Sequence, residues 1–385
     1  MMTSPFLTDL LLFVLSTIQM MVKVSNMKSP QVKISILLSI IFLMLSTGAC
    51  SKLESTQKGQ QEQSLHLKDL PHSNDNHFAQ SGVTALLQFD QQLLMGHQNG
   101  SISLWDNPIT KNSQLRRAWF AHEQSIRQLT EVQTGYTSLS ADGSWVTWSR
   151  NHQLSKRYRA PFGHPNVILH IDETTDILGG DRGAISKYEH GQRLWRTAGE
   201  HGRAVFGIAS MKPNKILSVG SDGWMRCWTI DRGDRCGALP IHDGWVTMLR
   251  PFSGGYLTSG SDGMIKFWSS KSLAALTHSE SQSSYAVLAT PEAQMNTNLK
   301  NISTISLIHN LVIIGNDKGT IKLLEYDKDM NHFFTKWQTS LAELAPITSI
   351  EMNFKQNTIY IGGGRVPKLA VIKSNSGELD FMKSW

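Results

Sequence analysis

Residue types that carry out hydrolytic chemistry occur together more than once in this sequence. Residues 220–228 read GSDGWMRCW and residues 260–268 read GSDGMIKFW, and His201 and His242 precede these two segments. Histidine, serine and aspartate together suggest nucleophilic catalysis, with the serine as nucleophile and the histidine as its base. An enzyme assembles such a site once, whereas this combination returns after about 40 residues. The recurrence favours a structural role for these side chains.

Other signatures of chemistry are missing. The sequence has no CxxCH, no HExxH, no paired CxxC and no GxxxxGK[ST], and most of its 14 histidines are isolated. We therefore expect no cofactor, no metal and no small-molecule substrate. Residues 50–385 carry 34 bases and 30 acids, an excess too small to indicate binding to nucleic acid.

The body of the chain has the composition of a turn-rich all-β protein. The whole sequence is 40% hydrophobic and 18% charged, with 11 tryptophans and 30 glycines. Segments of strand texture begin at a β-branched residue with spacings of 43, 41, 38, 41, 56 and 45 residues. Their starts are Val83, Ile126, Val167, Val205, Val246, Ile302 and Ile347. A turn glycine follows each start, at Gly100, Gly143, Gly183, Gly223, Gly263, Gly319 and Gly364. Five residues after the first five glycines stand Trp105, Trp148, Tyr188, Trp228 and Trp268.

These repeats resemble those of the WD-repeat proteins, in which each repeat forms one four-stranded blade of a β-propeller. The resemblance covers residues 77–385 and implies an all-β, seven-bladed propeller that forms a monomeric ring. In that family a histidine, a serine or threonine, an aspartate and a tryptophan are hydrogen-bonded within one blade. Three blades of this chain match the pattern, with His122, Ser138, Asp142 and Trp148; His201, Ser218, Asp222 and Trp228; and His242, Thr258, Asp262 and Trp268.

The other blades depart from the pattern. Blade 3 keeps His164 but has Arg182 and Tyr188 in the other places, and blades 1, 6 and 7 lack the set. We expect those blades to open more readily. The sequence leaves open whether blade 7 uses its own C-terminal strand, ELDFMK, or borrows SLHLKDL at residues 64–70.

The front of the chain has the layout of an export signal. Residues 27–50 begin with basic residues, continue through an apolar run of about 12 residues and end in small residues before Cys50. The segment Ser46–Cys50 resembles the lipobox of bacterial lipoproteins, which implies that Cys50 is lipidated. The alternatives are an ordinary secretory signal or, together with a second apolar stretch in residues 1–26, a pair of membrane segments.

Four regions follow from these patterns. Residues 1–26 are interpreted as an upstream extension, with Met27 as the true start; residues 27–49 are the signal peptide, and residues 50–76 are a polar, flexible tether before the propeller. We expect the outer membrane, facing the periplasm, as the location, with a soluble periplasmic or secreted protein as the alternative.

The two cysteines of the propeller lie in CWTIDRGDRC. A hairpin that turns at Asp231–Arg232 places Cys227 directly opposite Cys236, a separation that suits a disulfide. Two free thiols are the alternative, if the register of the hairpin differs by one residue.

Several features could contact a partner. Trp245 precedes a first strand on the rim formed by the loops between blades, and Arg203 and Tyr285 are further candidates. Residues 278–301 read as an insertion before blade 6 on that same rim. Basic and aromatic residues also recur in three outer strands, at 115–119, 154–159 and 192–197, where they either meet an anionic partner or protect strand edges.

These features predict a non-catalytic binding platform or scaffold in the cell envelope, bound to a protein partner and to the membrane through its lipid. The alternative within the same class is an accessory subunit of an outer-membrane protein assembly complex. A second alternative is an enzyme with its site in the central channel, for which His170, Asp172 and Glu351 are the nearest candidates.

Overall fold

The computed structural model describes residues 81–384 except Phe162, Lys212, Ala275 and residues 277–288. All of these residues belong to one compact unit, Leu70–Trp385. The predicted signal peptide, the predicted tether with its 64–70 segment, Cys50 and Tyr285 lie outside the described residues.

The described residues form seven antiparallel sheets, each made of four consecutive strands paired in chain order. We number the sheets as blades 1–7. Blades 1 and 2 contain β1 (Val83–Phe89), β2 (Gln92–His97), β3 (Ser101–Asp106), β4 (Leu115–Phe120), β5 (Ile126–Val132), β6 (Gly135–Ser140), β7 (Ser144–Ser149) and β8 (Leu154–Arg159). Blades 3 and 4 contain β9 (Pro165–His170), β10 (Thr175–Gly180), β11 (Ile185–Glu189), β12 (Gln192–Arg196), β13 (Val205–Met211), β14 (Lys215–Gly220), β15 (Trp224–Thr229) and β16 (Arg235–Pro240). Blades 5 and 6 contain β17 (Val246–Phe252), β18 (Gly255–Gly260), β19 (Met264–Ser269), β20 (Ala293–Asn296), β21 (Ile302–Ile308), β22 (Leu311–Asn316), β23 (Thr320–Asp327) and β24 (His332–Ser340). Blade 7 contains β25 (Ile347–Asn353), β26 (Thr358–Gly363), β27 (Lys368–Lys373) and β28 (Leu379–Ser384).

The blades close into a ring. The first strand of every blade contacts the first strand of the next blade, and β25 of blade 7 contacts β1 of blade 1. The predicted all-β, seven-bladed propeller is therefore confirmed. Six of the seven predicted blade starts are the first residues of first strands; blade 3 begins at Pro165 rather than Val167.

Burial changes from strand to strand within a blade. The second strands β6 and β18 are buried along their whole length, because each lies between two neighbouring blades. The fourth strand β8 is mostly exposed. The core is thus a series of layers between blades, which explains why the inner strands read as nearly continuous apolar and small residues.

Blade 7 is built from its own four strands, with β28 as the outermost one. Contacts between side chains and backbone join it to blade 1: Thr348 Oγ1 donates to Val83 O (2.5 Å), and Tyr360 OH donates to Asn107 Oδ1 (2.7 Å). Apolar residues of both blades, among them Val83 and Leu369, form one buried cluster. The ring closes by packing between complete blades.

The insertion lies in a different place from the one predicted. Residues 278–301 contain β20, the fourth strand of blade 5, so the long connection joins the third and fourth strands of that blade. Its described part begins with the short helix α1 (Ser270–Ala274). The ends of this connection therefore belong to the rim opposite the one that carries Trp245. In the part of the chain that is described, no helix is both long and apolar enough to cross a membrane.

Candidate functional site

The polar residues of blades 4 and 5 form a connected hydrogen-bond network within each blade. Ser218 Oγ lies 2.7 Å from both His201 Nε2 and Trp228 Nε1 and accepts the indole proton. His201 Nδ1 lies 2.9 Å from Asp222 Oδ1. The same contacts recur in blade 5, where Thr258 Oγ1 joins His242 Nε2 (2.9 Å) and Trp268 Nε1 (3.0 Å). Each network stays within its own blade and does not converge with the others on one cleft.

The pKa shifts fit this arrangement. Burial lowers the pKa of His201 and of His242, so both imidazoles are neutral at pH 7. Burial acts to raise the pKa of Asp222, but the hydrogen bonds from His201 and Arg226 outweigh it and hold that pKa below its usual value. A neutral histidine with Nδ1–H toward the carboxylate accepts the hydroxyl proton at Nε2, so the indole, the hydroxyl and the imidazole of each network all have acceptors.

Blade 2 contains the same residue types with one extra hydroxyl. Ser138 Oγ lies 2.8 Å from His122 Nε2 and 2.9 Å from Trp148 Nε1. His122 Nδ1, however, lies 2.6 Å from Ser144 Oγ, which in turn donates to Asp142 Oδ1 (2.6 Å). Asp142 thus acts on His122 mainly through Ser144, with 3.7 Å between its nearest oxygen and the imidazole.

Blade 1 has a network that the sequence pattern did not reveal. His97, at the end of β2, lies 2.8 Å from Ser103 Oγ, which accepts a hydrogen bond from Trp105 Nε1 (3.0 Å). Glycine occupies the equivalent place in blade 4, and a Cβ on Gly220 would lie 2.8 Å from His201 Cβ. The imidazole thus enters the same space from a different position in the chain. The sequence feature that indicates this network is HQNG at residues 97–100, which stands where blade 4 has GSDG.

Blade 3 uses its histidine differently. His164 Nδ1 lies 2.6 Å from Ala141 O of blade 2, and His164 N donates to Asp181 Oδ1 (3.2 Å). The acid in the turn is therefore Asp181, the residue before Arg182. His164 links two blades rather than joining a network within one blade.

Cys227 and Cys236 are joined by a disulfide, with their Cα atoms 5.1 Å apart. The predicted register is wrong, because Cys227 pairs with Gly237 and Trp228 pairs with Arg235. Cys236 is the extra residue of a β-bulge between these pairs. Corresponding bulges interrupt the last strand pair of blades 1, 2, 3, 6 and 7.

The residues considered for catalysis do not come together. His170 Nδ1 lies 2.6 Å from Asp176 Oδ1, and Asp176 Oδ2 accepts a hydrogen bond from Trp145 Nε1 (2.8 Å) of the neighbouring blade. Asp172 caps a turn by accepting from the backbone of Thr174 and Thr175 (both 2.8 Å), and these hydrogen bonds lower its pKa. Glu351 lies in the central channel instead. Within the described ranges, no group of three or more His, Cys, Asp and Glu is placed to hold a metal ion.

The mouth of the central channel is formed by a ring of bulged residues. In every blade the second residue of the first strand is skipped by the pairing with the second strand, which makes it the extra residue of a β-bulge. All seven of these residues line the channel cavity. We call them the bulge ring: Thr84, Arg127, Asn166, Phe206, Thr247, Ser303 and Thr348.

The bulge ring is asymmetric. In blades 5, 6, 7 and 1 its hydroxyl donates to a second-strand carbonyl of the same blade, with Oγ–O distances of 3.2 Å. Blades 2, 3 and 4 carry Arg127, Asn166 and Phe206 instead. Among the described residues, neither the Arg127 nor the Asn166 side chain has a hydrogen-bond or ion-pair partner. The ring therefore does not use the polar side chains at this position in blades 2 and 3 for its own structure, and blade 4 presents a half-buried aromatic ring there.

Trp245 extends this group of side chains toward blade 5. Its side chain is 53% exposed, and its ring centroid lies 6.3 Å from that of Phe206. Arg203 lies in the loop before blade 4 and is also exposed. A backbone hydrogen bond fixes each of the two residues: Arg203 N donates to Ser221 Oγ. Trp245 N donates to Ser261 Oγ. We call Arg127, Asn166, Arg203, Phe206 and Trp245 the open sector of the rim.

The basic and aromatic segments predicted to be outer strands are β4, β8 and β12. Many of their side chains contact the protein itself: Arg157 donates to Ala121 O (2.7 Å), Trp195 Nε1 donates to Ile230 O (2.9 Å), and Arg116 pairs with Asp106. These contacts favour the protection of strand edges over a lipid-binding surface.

Comparison with known proteins agrees with this architecture. Residues 233–269 match the family described as WD domain, G-beta repeat. The chain is a seven-bladed β-propeller that carries WD-type repeat sequence. The propeller resembles the structure of U3-55K, with a TM-score of 0.58 and 14% identity over 74% of this chain and 89% of that one. It also resembles the computationally designed Ika8 protein, with a TM-score of 0.54 and 19% identity over 76% of this chain and 96% of the other.

Two curated proteins are similar to part of this chain. Telomerase protein component 1 of Mus musculus is 31% identical over 121 residues, which is 30% of this chain and 5% of that protein. The DENN domain and WD repeat-containing protein SCD1 of Arabidopsis thaliana is 26% identical over 167 residues, which is 41% of this chain and 14% of that protein. The chain thus spans only a small fraction of the length of either relative.

Proposed function

We propose that this chain is an exported, lipid-tethered propeller that binds a protein partner through the open sector of its rim and performs no catalysis. The observation that carries the proposal is Trp245, which is 53% exposed beside Phe206. A half-exposed tryptophan on a rigid loop supplies a large contact area at low entropic cost, and tryptophan and arginine are enriched among the residues that dominate binding energy.

The rigidity of the site supports the same proposal. Trp245 N donates to Ser261 Oγ (3.0 Å), and Ser261 N donates back to Trp245 O (2.8 Å), so the backbone at Trp245 is fixed to the turn of blade 5. A surface held in its binding conformation loses little entropy when a partner docks. The WD-type repeat sequence is consistent with a scaffold, although a fold by itself never fixes a function.

The envelope location is supported by the leader pattern that ends at Cys50 and by the disulfide. Structural disulfides persist in oxidising compartments such as the bacterial periplasm. A lipid on Cys50 followed by a polar segment would keep the propeller close to the membrane and confine its search for a partner to that surface.

Photo-crosslinking tests the binding surface. A photoreactive amino acid at position 245 of the full chain, produced in its native cells, should give a discrete adduct with a protein partner. The matched control is position 354: Phe354 is 52% exposed but lies in the turn between β25 and β26, on the opposite rim. Adducts that are the same at both positions, or none at position 245, would contradict the proposal.

The same cells test the tether. The adduct should fractionate with membranes, and Cys50→Ser should release the chain into the soluble fraction while the adduct at position 245 still forms. With a purified partner, Trp245→Ala should weaken binding by roughly 2 kcal/mol, or about thirtyfold, whereas Phe354→Ala should not.

A further inference from the structure

The central channel holds a cavity of about 540 Å³ to which all seven first strands contribute. Three consecutive blades place a polar side chain at the same level inside it: Arg250, Ser306 and Glu351. Each follows the first residue of its strand by four positions, and the three pair with Leu257, Ile313 and Tyr360 of the second strands. This volume is within the range of small-molecule sites.

Arg250 is a cation without a counter-charge. Its guanidinium donates to the backbone at Leu249 O (3.2 Å), and in the part of the chain that is described it forms no ion pair. Burial lowers its pKa. Arg226, by contrast, pairs with Asp222. The Arg250 side chain is half-buried in the channel wall and has lost part of its hydration, so an anion in the cavity would lower the free energy of the folded chain.

Glu351 does not neutralise this charge. One of its oxygens accepts a long hydrogen bond from Gln88 N (3.4 Å), and burial raises its pKa to about 7. Both the protonated and the ionised carboxyl group are therefore populated near pH 7. In that form it donates a hydrogen bond instead of repelling an anion.

We propose that the channel cavity binds a small anion carrying a carboxylate or phosphate group, with Arg250 and Ser306 as its main donors and Glu351 as a third donor. Arg127, in the bulge ring at the channel mouth, adds a second positive charge along the entry path. The three donors lie outside the open sector, and only Arg127 belongs to both surfaces, so variants of Arg250 and of Trp245 test the two proposals separately.

Equilibrium binding to the purified full-length chain tests the proposal. The probes are succinate for a carboxylate source and sulfate, which resembles phosphate but keeps a constant charge between pH 6 and 8. At least one should bind in the channel at pH 6.5, and which one binds identifies the source. Arg250→Gln should weaken binding at least tenfold, and Arg250→Lys should weaken it less. Arg232→Gln is the matched control, because Arg232 is an exposed arginine in the loop between β15 and β16.

Folding of the variants is checked by thermal unfolding. Arg250→Gln should melt at the same temperature as the parent chain or higher without an anion, because it removes an unpaired, half-buried cation. Failure of both probes to bind at millimolar concentration, or full binding to Arg250→Gln, would overturn the proposal. Neither result would affect crosslinking at position 245.

The pH dependence gives a second test. The strands packed against Glu351, which are β1, β21, β22 and β26, carry no charged side chain, and the titratable Tyr360 on β26 has its hydroxyl on Asn107. The charged residues across the cavity are Arg127 and Arg250, and an arginine side chain does not lose its proton in proteins. The affinity for sulfate should therefore fall about tenfold over that interval as Glu351 loses its proton. Glu351→Gln should abolish this dependence, and an unchanged dependence in that variant would contradict the role of Glu351.

Discussion

At the scale of the residue, the blades have in common a space that a polar side chain fills. The position in the chain that supplies this side chain differs from blade to blade. In blade 4 the imidazole of His201 comes from the loop before the first strand, and the second strand ends in Gly220. In blade 1 the second strand supplies His97 itself, and in blade 6 the same place holds Asn316. Motif matching finds the first arrangement and overlooks the other two.

His97 should make stability depend on pH. Burial lowers its pKa from 6.5 to about 4. Between these values the unfolded chain binds the proton and the folded chain does not, so the stabilisation is complete above pH 6.5 and is lost as the pH falls toward 4. We expect His97→Asn, which copies blade 6, to reduce the dependence of the unfolding free energy on pH by up to about 1.4 kcal/mol per pH unit in this window.

Urea unfolding at a series of pH values measures this effect. Above pH 7 the two proteins should have the same dependence on pH, which serves as the internal control. An equal dependence at pH 5 would show that His97 is protonated as readily in the folded chain as in the unfolded one.

At the scale of the element, recurrent bulges set the register of the blades. The bulge in the last strand pair moves the fourth strand by one residue relative to a regular hairpin, and in blade 4 it carries Cys236. The disulfide is compatible with this register because Cys236 still lies close to Cys227, with 5.1 Å between the Cα atoms.

The disulfide closes a loop with a sequence separation of 9 residues. Chain-entropy arguments give such a loop a stabilisation of about 2–3 kcal/mol. The variant with both Cys227→Ala and Cys236→Ala should lose about that much unfolding free energy, and a reductant should destabilise the parent chain but not the variant. A thiol count near two on the unfolded, unreduced propeller would contradict the bond.

At the scale of the whole molecule, the ring closes without sharing a strand between blades 7 and 1. Tyr360 OH donates to Asn107 Oδ1 (2.7 Å) and accepts from Ile109 N (3.3 Å), so one hydroxyl connects two positions on blade 1. These hydrogen bonds and the buried cluster around Val83 together hold blade 7 against blade 1.

Tyr360→Phe should lower the unfolding free energy by about 1–3 kcal/mol, because it leaves the buried Ile109 N–H without an acceptor and removes one of the two hydrogen bonds to Asn107 Oδ1. The matched control is Tyr256→Phe, since Tyr256 OH donates to Ser210 O across blades 5 and 4 (2.7 Å). Hydrogen exchange should rise mainly in blades 7 and 1 for the first variant and in blades 4 and 5 for the second. Identical exchange patterns in the two variants would contradict the prediction that Tyr360 specifically stabilises the contact between blades 7 and 1.

The sequence by itself determined the features that recur within one repeat. The turn glycines, the tryptophans of the third strands and the histidine sets of blades 4 and 5 depend on residues close together in the chain, so their spacing was enough to predict seven blades. The role of His97 was not predicted, because in blade 1 the imidazole comes from the end of the second strand and not from the loop before the first strand.

Only the tertiary structure decided the remaining features. The bulge at Cys236, the position of β20 after the long connection and the use of β28 in blade 7 depend on which strands pair and in which register, and contacts between strands decide this. The channel depends on even more distant residues. Arg250 and Glu351 lie about 100 residues apart in the sequence, and they line one cavity only because seven blades close into a ring.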